Sequence, residues 1–366
     1  MTTKRLGRFG EELDILKYFQ GRKVLVTGHT GFKGGWLCMI LNHLGAEVTG
    51  FSLPAPTNPS IFELADVAGH VRSVIGDIRD FDSLQRCFEE AKPEVVFHLA
   101  AQPIVRRGYR EPRLTFDTNI MGTVNVLDCA VNSSSVRSLV NVTTDKVYEN
   151  KEWGWGYREI DPLNGYDPYS NSKSCSELVT RCYRDAFAVE RGIAVSTLRA
   201  GNVIGGGDFA QDRIIPDCIR SAIAKKPITV RNPYSTRPYQ HVLEPLFAYL
   251  LVAASQASDI KKAGSYNIGP PDADCYRTGD LVDLFCGIWG EGLSWINASE
   301  DGPHEARFLK LDSSLIAETF GWKQTWSVVQ GVEKTVEWTK EWQSHSSMAQ
   351  CMMRQIDAFA KEQVYL

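Results

Sequence analysis

Two small sets of residues have the types and spacing to do chemistry. Tyr169 and Lys173 stand four residues apart at the head of a helical pattern, so both fall on one face of a helix. A phenol with a free pKa near about 10 is a poor base at neutral pH, and a nearby ammonium stabilises its phenolate. Such a pair suits removal of a hydroxyl proton while hydride leaves the same carbon. With 13 tyrosines in the chain, one Tyr-x-x-x-Lys match is expected by chance, so placement has to carry the argument. Thr144-Asp145-Lys146 closes a predicted strand and brings a hydroxyl, a carboxyl and an ammonium together, enough for a hydrogen bond, a general acid and a base or anchor. The same three residues also read as a capped turn, because Thr and Asp favour turns.

The element that must position these groups lies near the start. A β-branched and apolar run at 24–26 is followed by Gly28, Gly31 and Gly34 and then by helix-compatible Trp36-Leu37-Cys38-Met39-Ile40-Leu41. Strand, glycine turn and helix in this order let the backbone approach a pyrophosphate and aim the helix N-terminus at the anion. Glycines at this spacing alone signal only a tight turn; at the start of a βαβ pattern they predict dinucleotide binding. Further strands are expected at 47–52, 71–75, 94–99, 138–143 and 193–198. Leu84, Cys87, Phe88 and Ala91 mark one helix face, and long helices are expected at 114–131 and 169–191. Six strands alternating with helices predict an α/β fold with an open, doubly wound parallel sheet.

From about residue 199 the rhythm changes. Gly205-Gly206-Gly207 breaks the pattern, a helix is expected at 214–224, and strands at 228–231 and 265–268 lie among Pro and Gly. We expect a dinucleotide-binding domain over 20–198 with a return segment near 233–258. A smaller mixed α/β lobe over 199–232 and 259–345 would bind substrate at the carboxyl ends of the strands, and 346–366 would form a helical tail. The loop at 147–168, with Trp153-Gly154-Trp155-Gly156-Tyr157, is long for a βα connection and reads as a covering loop; its tryptophans read as loop packing rather than base stacking.

The 366 residues, 43% hydrophobic and 23% charged, suit a soluble two-lobed enzyme, and a net charge of −4 argues against a nucleic-acid footprint. Charges throughout residues 1–20 leave no signal-peptide core, and no apolar run reaches membrane-spanning length, so a cytoplasmic address and no membrane partner are expected. Nine scattered cysteines without a Cys-x-x-Cys pair predict reduced thiols, and no metal site is expected.

Longer stretches carry a resemblance. They are Val-Thr-Gly-His-Thr-Gly-Phe-Lys-Gly (26–34), Gly-Asp-Ile-Arg-Asp (76–80), His-Leu-Ala-Ala-Gln-Pro (98–103), Thr-Asn-Ile-Met-Gly-Thr (118–123), Thr-Asp-Lys (144–146), Gly-Tyr-Asp-Pro-Tyr-Ser-Asn-Ser-Lys (165–173), Arg-Ala-Gly-Asn-Val-Ile-Gly-Gly-Gly-Asp (199–208), Asn-Pro-Tyr-Ser-Thr-Arg-Pro-Tyr-Gln-His-Val-Leu-Glu-Pro (232–245) and Pro-His-Glu-Ala (303–306). On these the chain resembles the extended short-chain dehydrogenase/reductases with their Rossmann sheet, and within them the nucleotide-sugar dehydratases, most closely the branch acting on CDP-glucose.

The resemblance implies a redox-neutral elimination of water from a nucleoside-diphosphate glucose, feeding deoxysugar synthesis such as that of lipopolysaccharide O-antigen. NAD would be held by Gly28, His29, Thr30, Gly31, Phe32, Lys33 and Gly34, by Asp77, Ile78, Leu99, Ala100, Ala101 and Asn119, and by Tyr169 and Lys173. Tyr169 would take the 4-hydroxyl proton, Thr144 would bond the same oxygen, Asp145 would be the acid, and Lys146 would serve the sugar or its enolate. Gln102, Asn202, Arg213, Arg237, His241 and His304 would meet the substrate, and the enzyme would be a homodimer through its two long helices. One departure concerns the cofactor. Ser52-Leu53-Pro54 stands where an acidic residue should bind the ribose, so NAD should be held loosely, with Lys33 and His29 as the cations left to meet a 2′-phosphate. Rival readings are a nucleotide-sugar 4-epimerase, which needs Tyr169 and Lys173 but not Asp145 and Lys146, and a dinucleotide-sensing protein without catalysis.

Overall fold

Short valine-rich strands, buried on both faces, build the centre of the molecule. The computed structural model describes residues 15–298 and 307–363. Its main sheet contains β1 (Lys23–Thr27), β2 (Glu47–Ser52), β3 (Arg72–Ile75), β4 (Val95–His98), β5 (Ser138–Val142), β6 (Ala194–Ala200) and β7 (Ser265–Ile268). The order is β7-β6-β5-β4-β1-β2-β3, and every pairing is parallel. Strand order therefore reverses between β1 and β4, and their carboxyl ends open a crevice there. The sheet has seven strands where the sequence pattern predicts six. Residues 265–268, expected in the smaller lobe, pair with β6 instead. The run Ser-Tyr-Asn-Ile is too short and too polar to declare its place. A crossover delivers it, as the helix at Leu243–Ser258 returns along the sheet and feeds the next parallel strand.

The longer helices are α1 (Phe32–His43), α2 (Phe81–Ala91), α3 (Gly122–Asn132), α4 (Pro168–Tyr183), α5 (Ile214–Ile223), α6 (Leu243–Ser258), α7 (Thr278–Trp289), α8 (Val328–Gln343) and α9 (Met348–Glu362). One core packs α1, α6 and α9 on one face of the sheet, and a second packs α2 and α3 on the other. A third core joins α5, α7 and α8 in the smaller part of the chain. The expected helix at 114–131 is met by Pro112–Phe116, a π turn at Asp117–Met121 and then α3; the one at 169–191 is α4 continued by a π turn and a 3₁₀ turn.

The burial of α4 runs against its hydrophobic pattern. Ser170, Ser172, Lys173, Ser174, Ser176, Glu177 and Thr180 are buried, and Lys173, Ser176, Glu177 and Thr180 bond groups on β5 or β6. Leu178 is 55% exposed, and Phe187 beyond its end is 44% exposed. The polar face of this helix is its inner face.

Candidate active site

The glycine turn is tight for a packing reason. A Cβ on Gly34 would stand 2.1 Å from the Gly28 carbonyl oxygen, and Gly28 itself has φ +82. Gly31 caps the start of α1 without any side-chain hydrogen bond, and a Cβ there would meet only the Gly28 oxygen, at 3.4 Å. No side chain caps the first amides of α1, which leaves this helix start suited to an anion.

Side chains of this turn divide sharply. His29 is fully buried: its Nε2 lies 2.7 Å from Ser73 Oγ, its ring meets Phe62 edge-on, and Gly50 leaves the room it fills. Burial lowers its pKa to about 4, so it is a neutral wedge and not a cation for a 2′-phosphate. Thr30 Oγ1 lies 2.9 Å from Ser52 Oγ and donates to the Leu53 carbonyl, tying the turn to the end of β2. Lys33 turns the other way, into the cleft, among Arg213, Asp145, Lys173 and Asp208; burial, with the like charge of Arg213 next, lowers it to about 7. It too stands away from a 2′-phosphate position at the end of β2.

The remaining cofactor candidates follow β3 and β4 or lie in the π turn before α3. Asp77 pairs with Arg79, Ile78 packs under Gly122, and the amides of Leu99 and Ala100 bond Thr27, on the loop that continues through Ala101. Asn119 donates to Ser172 Oγ at 2.9 Å and to the Gln102 carbonyl. Gln102, expected at the substrate, spends its amide on Thr115 and Ile104 and does not line the cleft. It braces Asn119 instead.

The chemistry-bearing groups meet at the end of β5. Asp167 caps α4, accepting from the amides of Tyr169 at 3.0 Å and Ser170 at 3.1 Å, and so sets Tyr169 in the first turn. Thr144 caps a 3₁₀ turn over Asp145–Val147, as the capped-turn reading expects. Thr144 Oγ1 donates to Asp145 Oδ1 at 2.9 Å, while the buried Oδ2 has no protein partner. Burial raises the Asp145 pKa against the pull of Lys146, which favours a carboxyl that holds its proton. Tyr169 departs from expectation. Burial pushes it up to about 12, opposed first by a hydrogen bond with Thr144, and Lys173 is not among its leading influences. Lys173 Nζ donates to the Val142 carbonyl at 3.0 Å, and burial lowers it to about 8.

Above these groups lies a cleft of about 1110 Å³, lined by Lys33, Thr144, Asp145, Lys146, Tyr169, Asn202, Arg213 and Arg237. Arg213 pairs with Asp208 at 2.9 Å, and Arg237 is buried. Sequence reasoning missed Arg106 and Arg231 on the cleft wall, joined through Asp212 at 3.6 Å and 3.0 Å. No spacing pattern marks them, since they come from distant elements. His241, expected at the substrate, is fully buried between Trp36 and Trp326, and burial lowers it to about 3. It belongs to the core between α1 and α8, away from the cleft lining. His304 lies outside the described residues. Trp153 and Trp155 stack on each other at 5.0 Å, and Trp153 leans on Tyr157, away from the cleft lining.

A parallel sheet with a glycine turn at its switch point, and Tyr169 and Lys173 beside it, defines the short-chain dehydrogenase/reductase class. The sequence family described as GDP-mannose 4,6 dehydratase matches residues 25–335, and the chain belongs to this family. It is 45% identical to CDP-glucose 4,6-dehydratase of Salmonella typhimurium over 348 residues, 93% of this chain and 97% of that one. Its fold matches UDP-glucose 4-epimerase of Thermotoga maritima with TM-score 0.77 at 22% identity, covering 87% of this chain and 99% of that one. It also matches dTDP-glucose 4,6-dehydratase of Streptomyces venezuelae with TM-score 0.75 at 24% identity, covering 89% and 99%.

Proposed function

We propose that the protein removes water from CDP-D-glucose, giving CDP-4-keto-6-deoxy-D-glucose with no net redox change. The observation that carries this reading is the Thr144–Asp145 pair at the end of β5: a buried carboxyl, its pKa raised by burial, beside the hydroxyl that bonds Tyr169. A 4-epimerase has no leaving group to protonate. The relative at 45% identity over nearly its whole length carries the same activity in its name.

NAD is the cofactor. The tight glycine turn and the uncapped start of α1 fit its pyrophosphate, and the neutral, buried His29 and cleft-facing Lys33 supply nothing for a 2′-phosphate. Bound there, NAD would supply the hydride acceptor for C4 and the hydride donor for C6. Tyr169 Oη takes the 4-hydroxyl proton, and its high pKa means that this proton moves as the C4–H bond breaks. Thr144 holds the same oxygen. Lys173 would hold the ribose of the cofactor. Asp145 gives its proton to the departing 6-hydroxyl, Lys146 anchors the sugar or steadies the enolate formed when a base of the cleft takes the C5 proton, and that proton returns to C5 once C6 is reduced. Asn202, Arg213 and Arg237 hold the nucleoside diphosphate, for which arginine's paired donors are suited.

We further read the enzyme as a homodimer formed through the helical runs at 114–131 and 169–191, supported by the exposed Met121, Leu178 and Phe187 along them. A cytoplasmic address is supported by nine free cysteines, and the product would enter deoxyhexose synthesis such as that of O-antigen. No helix among the described residues is long and apolar enough to cross a membrane. The test is mass analysis of CDP-, dTDP-, UDP- and GDP-glucose after incubation with protein and NAD. Loss of one water from CDP-glucose without lasting NADH is expected; an unchanged mass with inverted C4 would establish an epimerase instead.

A further inference from the structure

Beneath the catalytic groups lies a buried ionic knot that the mechanism above does not use. Glu177 follows Lys173 by one turn of α4 and is 2% exposed, as is Arg199 on β6. Its carboxylate accepts from Arg199 Nη2 at 2.9 Å, from Thr197 Oγ1 at 2.6 Å and, at short range, from Thr143 Oγ1. Thr143 lies between Val142, whose carbonyl receives Lys173 Nζ, and Thr144, which bonds Asp145. Two rungs one residue apart therefore tie α4 to the end of β5, one through Lys173 and one through Glu177. Arg199 extends the tie outward. Its Nη1 donates to Tyr148 Oη at 2.8 Å and to the Glu159 carbonyl, and Tyr148 donates to Asn267 on β7 at 2.6 Å.

We propose that Glu177 is a positioning residue: its carboxylate fixes the Thr143 end of β5 against α4, and so sets where Lys173, Thr144 and Asp145 stand relative to one another. The chemistry of the knot supports this over simple stability. A buried ion pair adds little net stability compared with apolar packing, but it enforces one geometry through directed hydrogen bonds. All three acceptor contacts of Glu177 come from residues on the two strands that end at the site. The polar inner face of α4, which breaks the usual burial rule, is the surface that makes this possible.

The inference rests on the dehydration reading for its turnover assay, so the test adds a measurement that needs no turnover. Thr143→Val keeps the shape of the side chain but cannot donate to Glu177, and Thr143→Ser keeps the donor. In Thr143→Val we expect kcat to fall by about tenfold to a hundredfold, with KM within about threefold of wild type, and Thr143→Ser to recover most of the loss. NADH affinity, read by fluorescence, should weaken by about tenfold in Thr143→Val, because Lys173 shifts with the strand end. The double variant Glu177→Gln with Arg199→Met removes both buried charges together and should show the same pattern while remaining folded. Wild-type kcat and NADH affinity in a folded Thr143→Val would overturn the positioning role. Should the wild type bind NADH yet dehydrate none of the four glucose nucleotides, the dehydration reading fails, and the NADH affinities alone decide the role of the knot.

Discussion

Asp145→Asn separates acid catalysis from structure with little collateral change. Asp145 is 1% exposed and burial raises its pKa, so a neutral amide of the same shape is the least disruptive replacement. The amide oxygen still accepts from Thr144 Oγ1, now 2.9 Å from Oδ1, and the amide nitrogen takes the place of the unpartnered Oδ2. Folding stability should therefore change by no more than ~1 kcal/mol, a Tm shift of about 1–2 °C for a chain of this size. The amide has no acidic proton for the departing hydroxyl. A positioned general acid contributes about 10²–10⁴-fold, so kcat should fall by that factor, ~3–5.5 kcal/mol of barrier. The assay is mass-detected loss of water from CDP-glucose, with nicotinamide absorbance followed in parallel. Because Tyr169, Thr144 and Lys173 are untouched, hydride transfer from C4 should continue and reduced cofactor should build up while elimination stalls. Water loss within threefold of wild type would refute the acid role, and a large Tm loss without NADH accumulation would make Asp145 structural.

Four further outcomes follow from the geometry. Gly34→Ala places a Cβ 2.1 Å from the Gly28 oxygen, so NADH affinity by fluorescence titration should fall by about a hundredfold or more, and retained affinity would refute the tight-turn account. His29, His98 and His241 are buried with pKa values lowered to about 4, 3 and 3. Below the unfolded value of about 6.5 the unfolded chain binds the extra protons, so stability is lost as pH falls from there, by up to ~1.4 kcal/mol per pH unit for each histidine. Urea melts between pH 7 and 5 should show it, and a flat profile would contradict the burial. Arg237→Met removes a donor pair from the cleft and should raise KM for the nucleotide sugar by about tenfold or more with a smaller change in kcat, measured in steady-state assays. Leu178→Asp puts a charge on the exposed ridge of α4 and should convert a dimer to monomer in sizing experiments; an unchanged mass would place any interface elsewhere.

Much of the centre of the molecule can be read from local chemistry. The glycine turn after residues 24–26, the fully apolar run at 95–97 and the Asp167-Pro168 start of α4 are set by backbone sterics, two-sided burial and capping, all of which act within a few residues. Tyr169, Lys173 and the Thr144–Lys146 turn were likewise identifiable, because their spacing fixes them at the ends of neighbouring elements. Long-range packing governed the rest. Whether residues 265–268 joined the sheet depended on what α6 delivered beside β6, which no short segment encodes. His29 and His241 carry the residue type of a ligand, yet Gly50, Trp36 and Trp326 enclose them, and enclosure by distant residues removes both charge and access. The phenol of Tyr169 rises rather than falls in pKa because desolvation sums over every surrounding element, whereas the expected help from Lys173 came from one neighbour. The inner face of α4 inverts the hydrophobic pattern for the same reason: its serines, lysine and glutamate find partners only once β5 and β6 stand opposite them.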